Sequence, residues 1–102
     1  SYYCVSKRLA QETPNSAYMN QYNNTANRDC HEAYTGPEIE KQFPNVDAIV
    51  AGIGTGGTVC GVGRHFKKRK HAAQIVAVDP VGSIVHEAYK TGTVKTAAKT
   101  YK

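Results

Sequence analysis

The sequence has no apolar run as long as a membrane-spanning helix, which needs about 20 such residues. Cysteine is also sparse: Cys4, Cys30 and Cys60 form an odd number, and no two are spaced as Cys-x-x-Cys. A disulfide framework is therefore not expected, and a reducing cytoplasm is the simplest location. Cys30 and His31 are adjacent, but no further ligand cluster accompanies them. We expect no metal site and no membrane partner.

The composition is that of a globular protein. The chain has 102 residues, of which 40% are hydrophobic and 21% charged, which suits one small domain or part of a larger one. It starts at Ser1 without a methionine or a signal peptide, and it stops at Lys102 without a closing element. We therefore expect a segment of a longer protein.

Much of the net charge of +5 comes from one basic run, residues 64–71. Such a run indicates either a nucleic-acid patch or the solvated end of a helix, where cations complement the helix dipole. Only Phe66 supplies an aromatic ring within it, so the helix end is favoured and no nucleic-acid partner is expected. His65 and His71 are expected to be solvated, and Cys60 is expected to be a small packing residue.

Local patterns in the first half predict separate short elements. Helical spacing of apolar residues predicts a helix over residues 2–12. Residues 17–22 are rich in aromatics and predict a strand, and the Asn-rich residues 23–29 predict a loop. A further helix is predicted over residues 35–43, with Thr35 as its N-cap and Glu38 completing a capping box. The tyrosines are spread along the sequence and predict no stacking platform.

Two continuous apolar runs, residues 47–51 and 74–78, predict strands buried on both faces. A helix over residues 59–70 connects them, and the alternation of strands and helices favours an α/β fold with a parallel sheet and helices on both faces. The polar residues 82–102 predict a surface tail or linker.

A glycine-rich turn, residues 52–58, joins the first buried strand to this helix. Free backbone N–H groups at a helix start attract anions, and glycine lets the backbone approach them closely. A phosphate site is the functional interpretation, and a tight turn that needs glycine is the structural one. The absence of Lys-Ser or Lys-Thr after the glycines excludes a Walker loop.

The pattern Gly52-x-Gly54-x-x-Gly57 also satisfies the dinucleotide-binding fingerprint. Asp79 follows 22 residues after Gly57, near the position of a ribose-binding acid. A fragment of a dinucleotide-dependent oxidoreductase is thus one alternative, although that fingerprint usually lies at the first strand of its domain. A non-enzymatic module that binds an anionic partner is another.

Several motifs in order resemble one family over residues 1–84. They are Asn20-Gln21-Tyr22, Asn24-x-x-Asn27, His31, Thr35-Gly36-Pro37-Glu38-Ile39, Ala51-Gly52-Ile53-Gly54-Thr55-Gly56-Gly57-Thr58 and Val78-Asp79-Pro80-x-Gly82-Ser83-Ile84. Together they are similar to the middle of fold-type II (tryptophan synthase β-like) pyridoxal-phosphate (PLP) enzymes of the cystathionine β-synthase and cysteine synthase group. The segment from Val78 to Ser83 is closer to cystathionine β-synthase. The resemblance implies a partial α/β domain over residues 1–84, with residues 85–102 as linker or surface tail.

The resemblance also implies a chemistry. Family members replace the β-substituent of serine or O-acetylserine with homocysteine or sulfide, using pyridoxal 5'-phosphate, and a homodimer is expected for the full-length enzyme. By position, the phosphate would be held by Gly54, Thr55, Gly56, Gly57 and Thr58, and Gln21 would contact the substrate carboxylate. The Schiff-base lysine belongs to an earlier segment, so no catalytic residue is expected here and the isolated chain should be inactive.

Overall fold

The computed structural model describes residues 2–93. The helices are α1 (Tyr2–Glu12), α2 (Ala26–Cys30), α3 (Gly36–Gln42), α4 (Gly57–Lys68) and α5 (Ile84–Thr91), and a π-helical turn spans His31–Thr35. The strands are β1 (Ala48–Gly52) and β2 (Gln74–Val78). The predicted helix over residues 2–12 is confirmed. The two strands predicted from the apolar runs are also present, and β1 starts one residue later than predicted.

The two strands pair in parallel, with Ala48 opposite Gln74 and Gly52 opposite Val78, and α4 makes the crossover between them. The buried core lies on α4, at Val59, Val62 and Phe66. The predicted α/β class with a parallel sheet is confirmed.

The sheet is covered unevenly in the described part of the chain. Gly63 of α4 lies beside Ile75, so α4 packs on one face. Val50, Val76 and Val78 remain 64%, 40% and 52% exposed. Parallel strands this apolar normally have both faces covered. The sequence predicted helices on both faces of the sheet, but within residues 2–93 no helix packs on the second face.

The helix predicted to begin at Thr35 begins earlier. Residues 26–42 form one continuous helix, which we call the α2–π–α3 helix, because Thr35 has helical angles (φ −63°, ψ −43°) and makes no capping bond with its side chain. The Gly36 N–H donates to the carbonyl of His31, five residues back. This wider turn precedes Pro37, which has no N–H to donate. The predicted Thr35 cap is therefore wrong, and the predicted loop over residues 23–29 is wrong from Ala26 onward.

The predicted strand over residues 17–22 is also wrong. Asn20 has φ of 49°, and its carbonyl accepts from the N–H groups of Asn23 and Asn24, which closes a turn. Instead of alternating across a sheet, Tyr18 and Tyr22 both contact the ring of Tyr3 edge-on, with centroids 6.1 and 5.9 Å away. The tyrosines near this turn are thus clustered rather than spread, and they attach the turn to α1.

The tail predicted over residues 82–102 contains a helix, α5. The Ser83 hydroxyl caps it by accepting from the Val85 N–H at 3.1 Å, and Gly92 ends it with φ of 67°. Gly92 suits this left-handed position because it has no Cβ. Residues 94–102 of the predicted tail lie outside the described residues.

The basic run ends α4 as predicted, but acidic residues of the α2–π–α3 helix pair with it. Glu32 pairs with Lys68 and with Arg64 at 3.6 Å, and Glu40 pairs with Arg69 at 3.3 Å. The Lys68 ammonium lowers the pKa of Glu32 through its hydrogen bond. These contacts hold the two helices together on their polar side.

The histidines of the run, predicted to be solvated, are partly buried and have protein partners. His65 Nε2 lies 2.7 Å from Glu40 Oε2, and only 14% of its side chain is exposed. His71 accepts from the Ala73 N–H at 3.0 Å through Nδ1, and its Nε2 lies 2.9 Å from the carbonyl of Pro44. Both rings also contact Phe66 edge-on. Their packing on the Phe66 ring leaves both histidines partly buried.

Candidate anion-binding site

The glycine-rich turn leaves backbone donors free at the start of α4. The Ile53 N–H donates to the Val78 carbonyl at 2.9 Å, which fixes the entry to the turn. Gly56 then adopts φ of 81° immediately before α4 begins at Gly57. Within residues 2–93, the N–H groups of Thr55 and Gly56 donate to no protein group. Together with the positive pole of the helix, these donors form an anion-binding environment.

A cavity of about 160 Å³ opens at this turn. It is lined by Thr55, Gly56 and Gly57 of the turn and by Gln21 and Tyr22. A Cβ built on Gly54 would meet no atom within 4 Å, so the backbone there faces open space. The residues present therefore fit a phosphate group: free amides, the Thr55 hydroxyl and room beside the glycines. Of the predicted residues, Gly54 and Thr58 do not line this cavity. The structure brings the predicted residue Gln21 to the same cavity.

Asn27, on α2, supports the first threonine of the turn. Its Nδ2 donates to Thr55 Oγ1 at 2.8 Å and to the Gln21 carbonyl at 3.4 Å. It thus connects the glycine turn to the segment that carries Gln21.

His31 supports the second threonine, one helical turn further along. Its Nε2 lies 3.2 Å from Thr58 Oγ1, and its Nδ1 lies 2.9 Å from Thr35 Oγ1. The sequence motifs included His31 and Asn27, but His31 was considered in a chemical role only as a metal ligand, and Asn27 was given no role. A signal was present, because residues 27, 31 and 35 recur every four positions, which places them on one helix face.

Small residues let α4 approach this face closely. A Cβ on Gly57 would lie 2.4 Å from Asn27 Oδ1, and a Cβ on Gly61 would lie 2.4 Å from the Arg28 carbonyl. On the opposite helix, a Cβ on Gly36 would lie 2.6 Å from His65 Cβ. Side chains at these positions would separate the helices, so the glycines keep Asn27 and His31 within reach of the turn.

Two other sequence candidates have different surroundings from those expected. Cys60 is exposed and lines the cavity rather than packing in the core. Asp79 Oδ2 accepts from the His86 N–H at 3.1 Å, so this carboxylate caps α5 and does not line the cavity of the glycine turn. That placement gives no support to a ribose-binding role for Asp79.

Among residues 2–93, no group of three metal-ligating side chains is assembled, and none of the helices has the length and apolar character of a membrane span.

Comparison with known proteins identifies the family. Residues 2–101 match the model of the family described as pyridoxal-phosphate dependent enzyme. The chain belongs to this family. Its cofactor is pyridoxal phosphate, which agrees with the fit of the glycine turn to a phosphate.

The relatives include both groups that the sequence motifs indicated. Cystathionine β-synthase of Saccharomyces cerevisiae is 42% identical over 87 residues, which cover 79% of this chain and 17% of that protein. Cystathionine β-synthase of Apis mellifera is 45% identical over 82 residues, covering 79% of this chain and 16% of that protein. Cysteine synthase of Staphylococcus aureus is 44% identical over 77 residues, which cover 74% of this chain and 25% of that protein. The chain thus spans a quarter or less of each of these relatives.

A solved structure supports the fold. The chain is similar to a hydrogen sulfide-producing enzyme crystallised in complex with an α-aminoacrylate intermediate. The TM-score is 0.69 and the identity 32%, over 93% of this chain and 28% of that one. The predicted resemblance, the fold class and the cofactor are therefore confirmed.

Proposed function

We propose that this chain is one segment of a PLP-dependent β-replacement enzyme of sulfur amino-acid metabolism. Its substrates would be serine or O-acetylserine together with homocysteine or sulfide, and its products cystathionine or cysteine. The names of the relatives support this reaction class, because cystathionine β-synthases and cysteine synthases are 42–45% identical to the chain. The proposal includes a cytoplasmic location and a full-length homodimer.

The observation that carries the proposal is the pair of unbonded amides, Thr55 and Gly56, at the start of α4 beside a cavity. Gly54, Thr55, Gly56, Gly57 and Thr58 would hold the phosphate, with the free Thr55 and Gly56 amides and the threonine hydroxyls as the hydrogen-bond donors. When bound, the cofactor supplies an electron sink for the reaction of the amino acid.

Gln21 is proposed to orient the substrate. Gln21 lines the same cavity as Thr55, and the amide of a glutamine side chain can donate to a carboxylate. An amino acid held there would lie next to the anchored cofactor. This chain would therefore contribute binding and orientation, which are the protein's part in cofactor chemistry.

The isolated chain is proposed to be inactive. None of the residues that line this cavity is a lysine. PLP enzymes of this class need a lysine to bind the cofactor covalently. Turnover of serine with homocysteine by the purified chain, at a rate near that of a complete relative, would contradict this part of the proposal.

The phosphate assignment can be tested on the purified chain with amide-resolved NMR. PLP and inorganic phosphate should both shift the Thr55 and Gly56 amide signals, whereas pyridoxal, which lacks the phosphate, should leave them unchanged at the same concentration. NAD serves as the comparison for the dinucleotide alternative. Shifts with NAD but not with PLP would refute the proposal and favour an oxidoreductase, and strong salt-sensitive binding of nucleic acid would favour an anion-binding module.

A further inference from the structure

The Thr55 hydroxyl has both of its acceptor positions occupied by protein donors. Asn27 Nδ2 lies 2.8 Å from Thr55 Oγ1, and the Gly57 N–H donates to the same oxygen at 3.4 Å. A threonine hydroxyl has two acceptor lone pairs and one hydrogen. With two N–H groups on the oxygen, its own hydrogen is left to donate elsewhere.

The orientation of the Asn27 amide follows from its second partner. The atom that faces the Gln21 carbonyl at 3.4 Å must be the nitrogen, because a carbonyl oxygen only accepts. The same nitrogen faces Thr55 Oγ1, so Asn27 donates to Thr55 and does not accept from it. The remaining oxygen, Oδ1, lies against Gly57, where an added Cβ would come within 2.4 Å.

We propose that Asn27 is a positioning residue that fixes the Thr55 hydroxyl as a donor toward the cofactor phosphate. The inference rests on the proposed function of the glycine turn. Without Asn27, the Thr55 hydroxyl could rotate and place a lone pair, rather than its hydrogen, toward the anion. Because Asn27 also holds the Gln21 carbonyl, it sets the distance between the phosphate turn and the segment that would contact the substrate.

A double-mutant cycle in the complete PLP-loaded protein tests this inference. Asn27→Leu removes the donor with little change in shape or charge, and Thr55→Val removes the hydroxyl in the same way. Thr55→Val should weaken PLP binding about 10- to 100-fold, the effect of losing a hydrogen bond to a charged group. Asn27→Leu should weaken it about 2- to 10-fold. In the Thr55→Val background, Asn27→Leu should cost no more than about twofold further, because the group it positions is gone.

Pyridoxal separates positioning from a merely structural role. Asn27→Leu should weaken PLP binding and leave the binding of pyridoxal unchanged. Gln42→Leu is the matched control: it removes an exposed amide on the same α2–π–α3 helix, outside the cavity of the glycine turn, so its effect should add to that of Thr55→Val. A second variant, Asn27→Asp, keeps the shape but only accepts when ionised, so it should weaken PLP binding more than Asn27→Leu.

The outcomes are distinguishable. Additive effects of Asn27→Leu and Thr55→Val, or equal losses of PLP and pyridoxal binding, would overturn the role of Asn27 while leaving the phosphate site intact. A wild-type protein that binds pyridoxal as tightly as PLP would overturn the proposed function itself. If Asn27→Leu unfolds, which circular dichroism detects, the uncharged variant Asn27→Ala, which also lacks the donor, takes its place in the cycle and in the comparison of PLP with pyridoxal.

Discussion

The imidazole of His31 lies 3.2 Å from the hydroxyl of Thr58, across the contact between the α2–π–α3 helix and α4. The other ring nitrogen lies 2.9 Å from Thr35 Oγ1, on the same helix as His31. The ring therefore connects the glycine turn to the π-helical turn. This geometry makes the irregular helix part of the support of the candidate phosphate site.

Replacing His31 should weaken phosphate binding. In His31→Ala, Thr58 loses its partner, and the affinity for PLP should fall by about 2- to 10-fold, the effect of one hydrogen bond between neutral groups. The affinity can be measured by cofactor titration of the complete protein. His86→Ala is the control, because His86 is exposed on α5, outside the cavity of the glycine turn. An unchanged PLP affinity in His31→Ala would show that Thr58 needs no support from this ring.

The centre of the fold was predictable from local sequence. The strands β1 and β2 are continuous apolar runs, and the turn between β1 and α4 is recognisable by its closely spaced glycines. These features depend on neighbouring residues alone, and the structure has them within a few residues of the predicted positions.

The α2–π–α3 helix was not predictable in this way. Gly36 and Pro37 resemble a helix start, but Gly36 is required by its contact with His65, where a Cβ would lie 2.6 Å from His65 Cβ. This contact joins residues far apart in the sequence, and no local pattern contains it. A prediction that starts a new helix at Thr35 does not place Asn27, His31 and Thr35 on one helix face. It therefore does not identify the residues that support the candidate site.

Gly61 and Gly63 should respond in opposite ways to alanine. Both are on α4, where alanine is favoured over glycine by about 1 kcal/mol in a helix interior. At Gly61 a Cβ would lie 2.4 Å from the Arg28 carbonyl, so Gly61→Ala should destabilise the fold by about 1–3 kcal/mol through overpacking. At Gly63 the nearest atom would be Ile75 Cγ2 at 3.5 Å, an ordinary contact, so Gly63→Ala should be neutral or slightly stabilising. Urea unfolding of the two variants gives the comparison, and equal free energies of unfolding would contradict it.

Acid should weaken the contact between α3 and α4. The hydrogen bond from His65, and then the bond from Arg69, hold the pKa of Glu40 below its ordinary value of 4.5. A carboxylate whose pKa is lowered on folding stabilises the protein above its unfolded pKa, and this contribution is lost as the pH falls through the folded pKa. The free energy of unfolding of the wild type should therefore decline below about pH 4.5 more steeply than that of Glu40→Gln. Glu38→Gln, which alters an exposed carboxylate on the same helix, should follow the wild type.

Gln21 should affect the substrate and not the cofactor. Its backbone carbonyl, which accepts from Asn27, is retained in Gln21→Ala, so the support of Thr55 is unchanged. Loss of the side-chain amide should raise the KM for the amino-acid substrate by about 10-fold or more, the effect of removing a donor to a carboxylate. The PLP affinity should stay at the wild-type value. Steady-state kinetics and cofactor titration of the complete protein measure both quantities, with Gln11→Ala on the exposed surface of α1 as the control. A variant that loses PLP while keeping its KM would place Gln21 at the cofactor instead of the substrate.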